Sequence, residues 1–179
     1  MNVKVVWKPY VDYEKEEAWL NHMAGDGWEL RRYTWMRYAF EQGIPGRFTY
    51  RLQLLADAVT NPKSRDYLAF MKDTGVEVVS TYGRWVYFRK KTADGPFEVF
   101  SDLDSRITHH MRIATMFSAL FAAVLPSAIV GLNSSTANGR LWMAPLILVE
   151  LALGASLGTV AVREYRKARS LERQRVVHE

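Results

Sequence analysis

The chain contains no cysteine. That absence excludes a disulfide framework and any thiolate zinc site, and it fits a reducing compartment. Histidine is scarce as well, with only His22, His109, His110 and His178, too few and too scattered for an all-histidine metal site. Neither a metal nor an organic cofactor is therefore expected. The first 105 residues also lack net charge, with 15 Lys+Arg against 15 Asp+Glu. The sequence pI of about 9.5 comes from the remainder, where 9 basic residues face 4 acidic ones. A nucleic-acid reader would carry its basic stripe on the folded domain that does the reading, so nucleic acid is not an expected partner. The first thirty residues hold no apolar run of signal-peptide length, because Lys4 and Lys8 interrupt Val3, Val5, Val6 and Trp7. The amino-terminal part is expected to stay in the compartment where it is made.

Long apolar runs are confined to the carboxy-terminal part. Residues 113–132 carry no charge, and residues 141–162 carry only Glu150. Each run matches the roughly 20 residues that cross about 30 Å of hydrocarbon. The expected layout is an α+β domain over residues 1–100, a linker at 101–112, two transmembrane helices at 113–132 and 141–162, and a short loop at 133–140 between them. A basic tail follows at 163–179. Arg106 and Arg112 precede the first span, and Arg163, Arg166, Lys167, Arg169, Arg173 and Arg175 follow the second, so the positive-inside rule makes both termini cytoplasmic and the loop external. The expected location is the cell membrane, with the chain crossing it twice. Membrane lipids are expected partners, since each basic residue of the tail adds about 1 kcal/mol of attraction to an anionic leaflet.

Inside the second span Glu150, Gly154 and Gly158 follow one another at four-residue steps, which places a carboxylate and a small-xxx-small groove on one helical face. A carboxylate at mid-bilayer costs on the order of 3 kcal/mol by insertion scales, so Glu150 is expected to meet a partner or to be protonated. Two readings stand for it: a polar contact between packed helices, or an ion or proton site. A second copy of the chain or another membrane protein would supply the facing helix.

In the first ninety residues strand and helix signals alternate. Val3 to Tyr10 is β-rich, and Asp12 is placed to cap a helix over residues 13–24 that ends at Gly25 or Gly27. Strands follow at 28–34, 37–40 and 48–54, then a helix that can begin at Pro62 and closes at Gly75, then strands at 76–82 and 84–90. Shifting the chain by 48 residues lays Trp19 on Tyr67, Leu20 on Leu68, Met23 on Met71, Gly27 on Gly75, Glu29 on Glu77, Leu30 on Val78 and Phe40 on Phe88. The domain reads as two βαββ units, about 1–48 and 49–92. Sharing one antiparallel sheet with both helices on one face would bury their apolar sides, a ferredoxin-like α+β arrangement.

Of the 23 aromatic residues, 19 precede Ser101. That is more than a small core needs. Along the last strand Trp85 and Tyr87 point one way and Val86 and Phe88 the other, so one aromatic set belongs to the sheet face away from the helices. Trp19, Trp28, Trp85 and Tyr87 are the candidate aromatic contacts for an apolar or cationic small molecule or a protein partner, with Glu29 and Glu77 as counter-charges at equivalent positions of the two units. The chain has no Gly-rich phosphate loop, nucleophile elbow or HExxH motif. Glu16, Glu17 and His22 can be drawn as an acid and base set, but the same residues suit a solvated helix face.

The segment EEAWLNHMAGDGWEL, followed by RYAFEQG, FTYRLQL and YGRWVYFRK, resembles the bacterial family of domain of unknown function 2812 over residues 3–91, with WLNxMAxxGWxL as its helix-end motif. The resemblance implies a membrane-associated accessory encoded beside PadR-type transcriptional regulators, and it carries no catalytic residue over. The function expected is that of a membrane-anchored, non-enzymatic regulatory or sensing protein. The alternatives are a structural subunit of a membrane complex or transporter and, more remotely, a cofactor-free enzyme.

Overall fold

The computed structural model describes residues 2–100, 102–137 and 141–178. The chain forms two compact units, Met1–Ser101 and Asp102–Glu179.

The first unit runs β1 (Val3–Trp7), α1 (Tyr13–Gly25), β2 (Trp28–Thr34), β3 (Arg37–Gln42), β4 (Phe48–Leu54), α2 (Pro62–Asp73), β5 (Glu77–Tyr82) and β6 (Trp85–Lys91). Local chemistry sets the helix ends. The Asp12 carboxylate accepts the N–H groups of Glu14 and Lys15 at the start of α1, and the Asn61 side chain accepts that of Lys63 at the start of α2, where Pro62 occupies a first-turn position that needs no donor. Both helices are followed by a glycine at φ +83°, Gly27 and Gly75. That left-handed conformation reverses the chain into the next strand.

The duplication reaches down to irregularities. Leu30 pairs with Phe40 and Val78 with Phe88, and each inner strand breaks register just afterwards, between Leu30 and Arg32 and between Val78 and Ser80. Two bulges 48 residues apart are the mark of two copies of one βαββ unit. The strands form two three-stranded antiparallel sheets, β1-β3-β2 and β4-β6-β5, in place of one shared sheet. Bulged strands twist away from a common ladder, and a side chain makes the join: the Ser80 hydroxyl accepts the Tyr33 N–H and donates to the Tyr33 carbonyl, both at 3.1 Å. The helices also depart from a common face. Leu20, Met23 and Ala24 of α1 pack with Leu30, Tyr38, Phe40, Tyr50, Leu52 and Tyr87, whereas Met71 of α2 packs with Val86 and Phe88 on the other side of β6. The second sheet is thus covered on both faces, and the aromatic face expected to lie open there is filled by α1.

Helix α1 has a second task. Asn21 donates to the Tyr50 carbonyl and accepts the Tyr50 N–H at 3.0 and 2.8 Å, and Glu17 accepts the Leu52 N–H at 2.9 Å. The helix thereby closes the open edge of β4.

The second unit consists of α3 (Leu103–Ala137) and α4 (Ala144–His178), joined through a short 3-10 turn at Leu141–Met143. Both helices are long and apolar enough to cross a membrane. At about 1.5 Å per residue they exceed the hydrocarbon thickness; α3 extends beyond its apolar run at both ends and α4 beyond its run at the carboxy-terminal end. Most of the segment expected to be a linker is helical, because the Asp102 carboxylate accepts the Ser105 N–H at 2.6 Å and starts α3 early. The loop at 133–140 is shortened in the same way, with α3 continuing to Ala137.

Candidate functional site

Glu16 is the buried carboxylate of the first unit on which a helix and both sheets converge. It stands one turn into α1 with an exposure of 7%, and its Oε1 accepts the Tyr38 hydroxyl at 2.7 Å and the Tyr87 hydroxyl at 2.6 Å. Helix α1, the first sheet through β3 and the second sheet through β6 therefore meet on one carboxylate. Tyr33 stacks on Tyr87 at 4.6 Å and tilts against Tyr38 at 4.8 Å, closing an aromatic collar around it. Burial pushes the Glu16 carboxyl above the usual range, opposed by the two hydroxyl bonds. Burial and the neighbouring carboxylate hold Tyr38 and Tyr87 far above the ordinary tyrosine range, so both remain donors.

Glu29 and Glu77, equivalent in the two units, converge on a single cation. Arg89 Nε lies 2.7 Å from Glu77 and its Nη1 3.9 Å from the buried Glu29, while its guanidinium covers the Phe48 ring at 4.2 Å. Glu29 also accepts the Ile44 N–H at 3.3 Å and has Arg47 at 3.8 Å. A Cβ on Gly43 would overlap the Glu29 carboxylate, so glycine at 43 is what admits that side chain. The counter-charges anticipated for a ligand are engaged with the chain's own arginines.

The candidate aromatic residues are placed as follows. Trp19 packs edge-on against Tyr38 at 4.9 Å and Phe40 at 5.6 Å, with Lys8 Nζ over its ring at 4.9 Å. Lys4 covers Trp28 at 5.0 Å. Trp85 tilts against Tyr13 at 5.7 Å, and Tyr87 is buried on Glu16. Trp19 and Tyr87 are thus joined through Tyr38, and Glu29 and Glu77 through Arg89, while Trp28 belongs to neither group. Cation–π attraction is already used internally at Trp19 and Trp28. The drawn acid and base set does not assemble: Glu16 is in the core, Glu17 is on the β4 edge with Arg51 at 3.2 Å, and His22 is exposed beside Asp26 at 3.9 Å. Burial also raises the Glu17 carboxyl, against the Leu52 N–H and Arg51.

In the second unit the Phe121 ring of α3 lies over the two glycines of α4, within 3.5 Å of where a Gly158 Cβ would be and 3.9 Å for Gly154. The groove therefore receives a side chain of the same chain. Glu150 is half-buried and makes no hydrogen bond or ion pair among the described residues. A polar contact missed in sequence joins the helices: His110 Nδ1 lies 2.7 Å from Glu164, which also accepts Lys167 Nζ at 3.0 Å. Its signal was the hairpin itself, because His110 and Glu164 flank the two apolar runs at nearly equal distances from the loop. Tyr38 and Arg89 were missed for another reason: their partners lie on other elements, Glu16 on α1 for Tyr38 and Glu29 and Glu77 on β2 and β5 for Arg89. Beside this contact a cleft of about 850 Å³ has Phe121, Gly158 and Val162 along its apolar side and Arg163, Arg166 and Lys167 along its basic side.

No group of three or more His, Asp or Glu residues suited to a metal ion occurs among the described residues. No curated protein and no solved structure matches the chain. A family model described as a protein of unknown function, DUF2812, matches residues 12–122, leaving out β1 and reaching past the resemblance seen in sequence into the first apolar helix. With more than half its length under that model, the chain belongs to the DUF2812 family.

Proposed function

We propose that this chain is a membrane-anchored, non-enzymatic regulatory protein whose folded domain, on the cytoplasmic side, recruits a partner protein by strand addition at β1. One observation carries the reading. The edge of β4 is closed by Asn21 and Glu17, whereas among the described residues no side chain closes the equivalent edge of β1. In the β1–β3 pair the Gln42 N–H donates to Asn2 and the Lys8 N–H to Met36, so by the alternation of an antiparallel ladder the backbone groups of Val3, Val5 and Trp7 point outward. Their side chains are exposed too. An open strand with apolar residues at alternate positions is what an extended peptide needs for main-chain pairing. The internal engagement of Glu29, Glu77, Trp19 and Trp28 favours this over capture of a small cation.

A photoreactive residue at position 3, in cells that express the full chain, tests the reading. A discrete protein adduct is expected, and Val5→Pro should abolish it while leaving the fold intact, because the Val5 N–H is not used in the ladder. An adduct indifferent to Val5→Pro would overturn strand addition.

A further inference from the structure

We propose that the β2–β3 turn, Trp35–Met36, is a membrane-interface anchor that sits among the headgroups of an anionic bilayer and orients the folded domain on it. The turn is a two-residue hairpin connection between Thr34 and Arg37, the innermost pair of the ladder. Trp35 has φ +35° and Met36 φ +65°, and they are the non-glycine residues of positive φ among the described residues. Hairpin turns of this kind are ordinarily filled by Asn-Gly, for which a left-handed backbone is easy. Large apolar side chains are strained there, and nothing in the core repays them: Trp35 is 60% exposed and Met36 37%.

The second unit supplies an internal control. Shifted by 48 residues, the same turn holds Gly83 and Arg84; Gly83 takes the positive φ of +60°, and Arg84 folds back to donate from Nε to the Leu55 carbonyl at 2.9 Å. The βαββ unit therefore closes this connection without an exposed tryptophan, and the fold does not explain Trp35.

The surroundings fit an interface. On the outer face of the first sheet Trp7, 65% exposed, is paired with Arg37, and Val5 is paired with Ala39, which is paired with Arg32. Neither Arg32 nor Arg37 forms an ion pair among the described residues, and the hairpin's carboxylates, Glu29 and Glu41, face each other at its opposite end. Tryptophan, methionine and arginine at one tip combine apolar insertion with charge complementarity to acidic headgroups. The tip is also held in shape: the Met36 N–H donates to the Tyr33 hydroxyl at 3.2 Å, the Lys8 N–H donates to the Met36 carbonyl at 2.9 Å, and the Tyr33 ring is stacked on Tyr87. The chain's own apolar helices would keep the domain beside a bilayer, so weak contacts suffice at the resulting effective concentration.

The test uses the full chain in nanodiscs whose acyl chains carry bromine, with phosphatidylcholine alone or mixed with phosphatidylserine, and reads tryptophan quenching. The variant Trp35→Asn/Met36→Gly installs the favoured turn pair, so its denaturation midpoint should equal or exceed the original; Trp35→Ser serves as the second variant. In phosphatidylserine discs the unaltered chain should lose a larger fraction of its emission than either variant. The difference should shrink in phosphatidylcholine and in Arg32→Gln/Arg37→Gln. Equal quenching of the unaltered chain and both variants would overturn the anchor, whether the tip then meets water or a protein, and a difference indifferent to headgroup charge would overturn the anionic assignment.

Discussion

Replacing Glu16 tests whether one buried carboxylate joins the helix and both sheets. Glu16→Leu removes the acceptor of two hydroxyls that are nine-tenths or more buried, at 2.7 and 2.6 Å. Each hydroxyl left unsatisfied costs about 1–3 kcal/mol, so the gross loss is roughly 2–6 kcal/mol. Burying leucine in place of a carboxylate offsets part of this, because the desolvation that raises the Glu16 pKa disappears. A net loss of about 1–4 kcal/mol is expected, with Glu16→Gln well below it since the amide oxygen still accepts both bonds. The pH dependence has a definite sign. A carboxyl whose pKa is higher in the folded state than in the unfolded one binds the extra proton when folded. Its contribution is therefore fully present below the unfolded value of about 4.3 and is lost as pH rises through the folded value. Glu17 is shifted in the same direction, so the comparison must be with Glu16→Gln, which keeps Glu17. Urea denaturation of residues 1–101, a unit with its own core, followed by tryptophan emission from pH 4 upward, should show the advantage over Glu16→Gln narrowing as pH rises. An unchanged midpoint for Glu16→Leu would refute the joint, and an advantage that widens with pH would refute the assigned direction.

Gly27→Val should destabilise the first unit more than Gly75→Val: both break a φ of +83°, but a Cβ on Gly27 would also lie 3.2 Å from Pro45, whereas Gly75 faces open space. Equal midpoints in thermal melts would contradict this. Gly43→Ala should cost on the order of 1–3 kcal/mol by displacing the Glu29 carboxylate, a loss that the double variant Gly43→Ala/Glu29→Ala should partly recover. For Glu150, Gln should leave oligomeric state in mild detergent unaltered, while Leu should weaken association by about 1 kcal/mol; normal assembly with lost cellular activity in Glu150→Gln would favour an ion or proton role. Reporters fused at the two termini should register cytoplasmic and one inserted at Ser135 external, and an external carboxy terminus would refute the hairpin topology.

The duplication was legible because its signals are local. The cap at Asp12, the proline that can open the second helix, the glycines after both helices and strand alternation depend on neighbouring residues, and a shift of 48 residues lays Gly27 on Gly75 and Leu30 on Val78 without reference to the rest of the chain. The apolar helices were legible for the same reason, since hydropathy is a property of a run. Sequence could also mark Glu29 and Glu77 as equivalent, but not that Arg89 lies between them, because its place depends on how β6 pairs with β4 and β5. The expectation of one shared sheet failed at the bulges, which carry no residue signature. Residues 31 and 79 are arginine and valine, and only the pairing of their strands reveals the extra residue. Glu16 looked like one carboxylate among several on a solvated helix face; its burial became visible only when Tyr38 and Tyr87, 22 and 71 residues away, closed over it. Sequence by itself determined the helices and strands of the first unit and the two apolar spans, because short-range sterics and hydropathy decide those, though not how far the first long helix runs beyond its span. The tertiary structure alone decided which polar groups are spent on one another and which edge and turn stay open, because desolvation and pairing depend on partners that the linear chain keeps far apart.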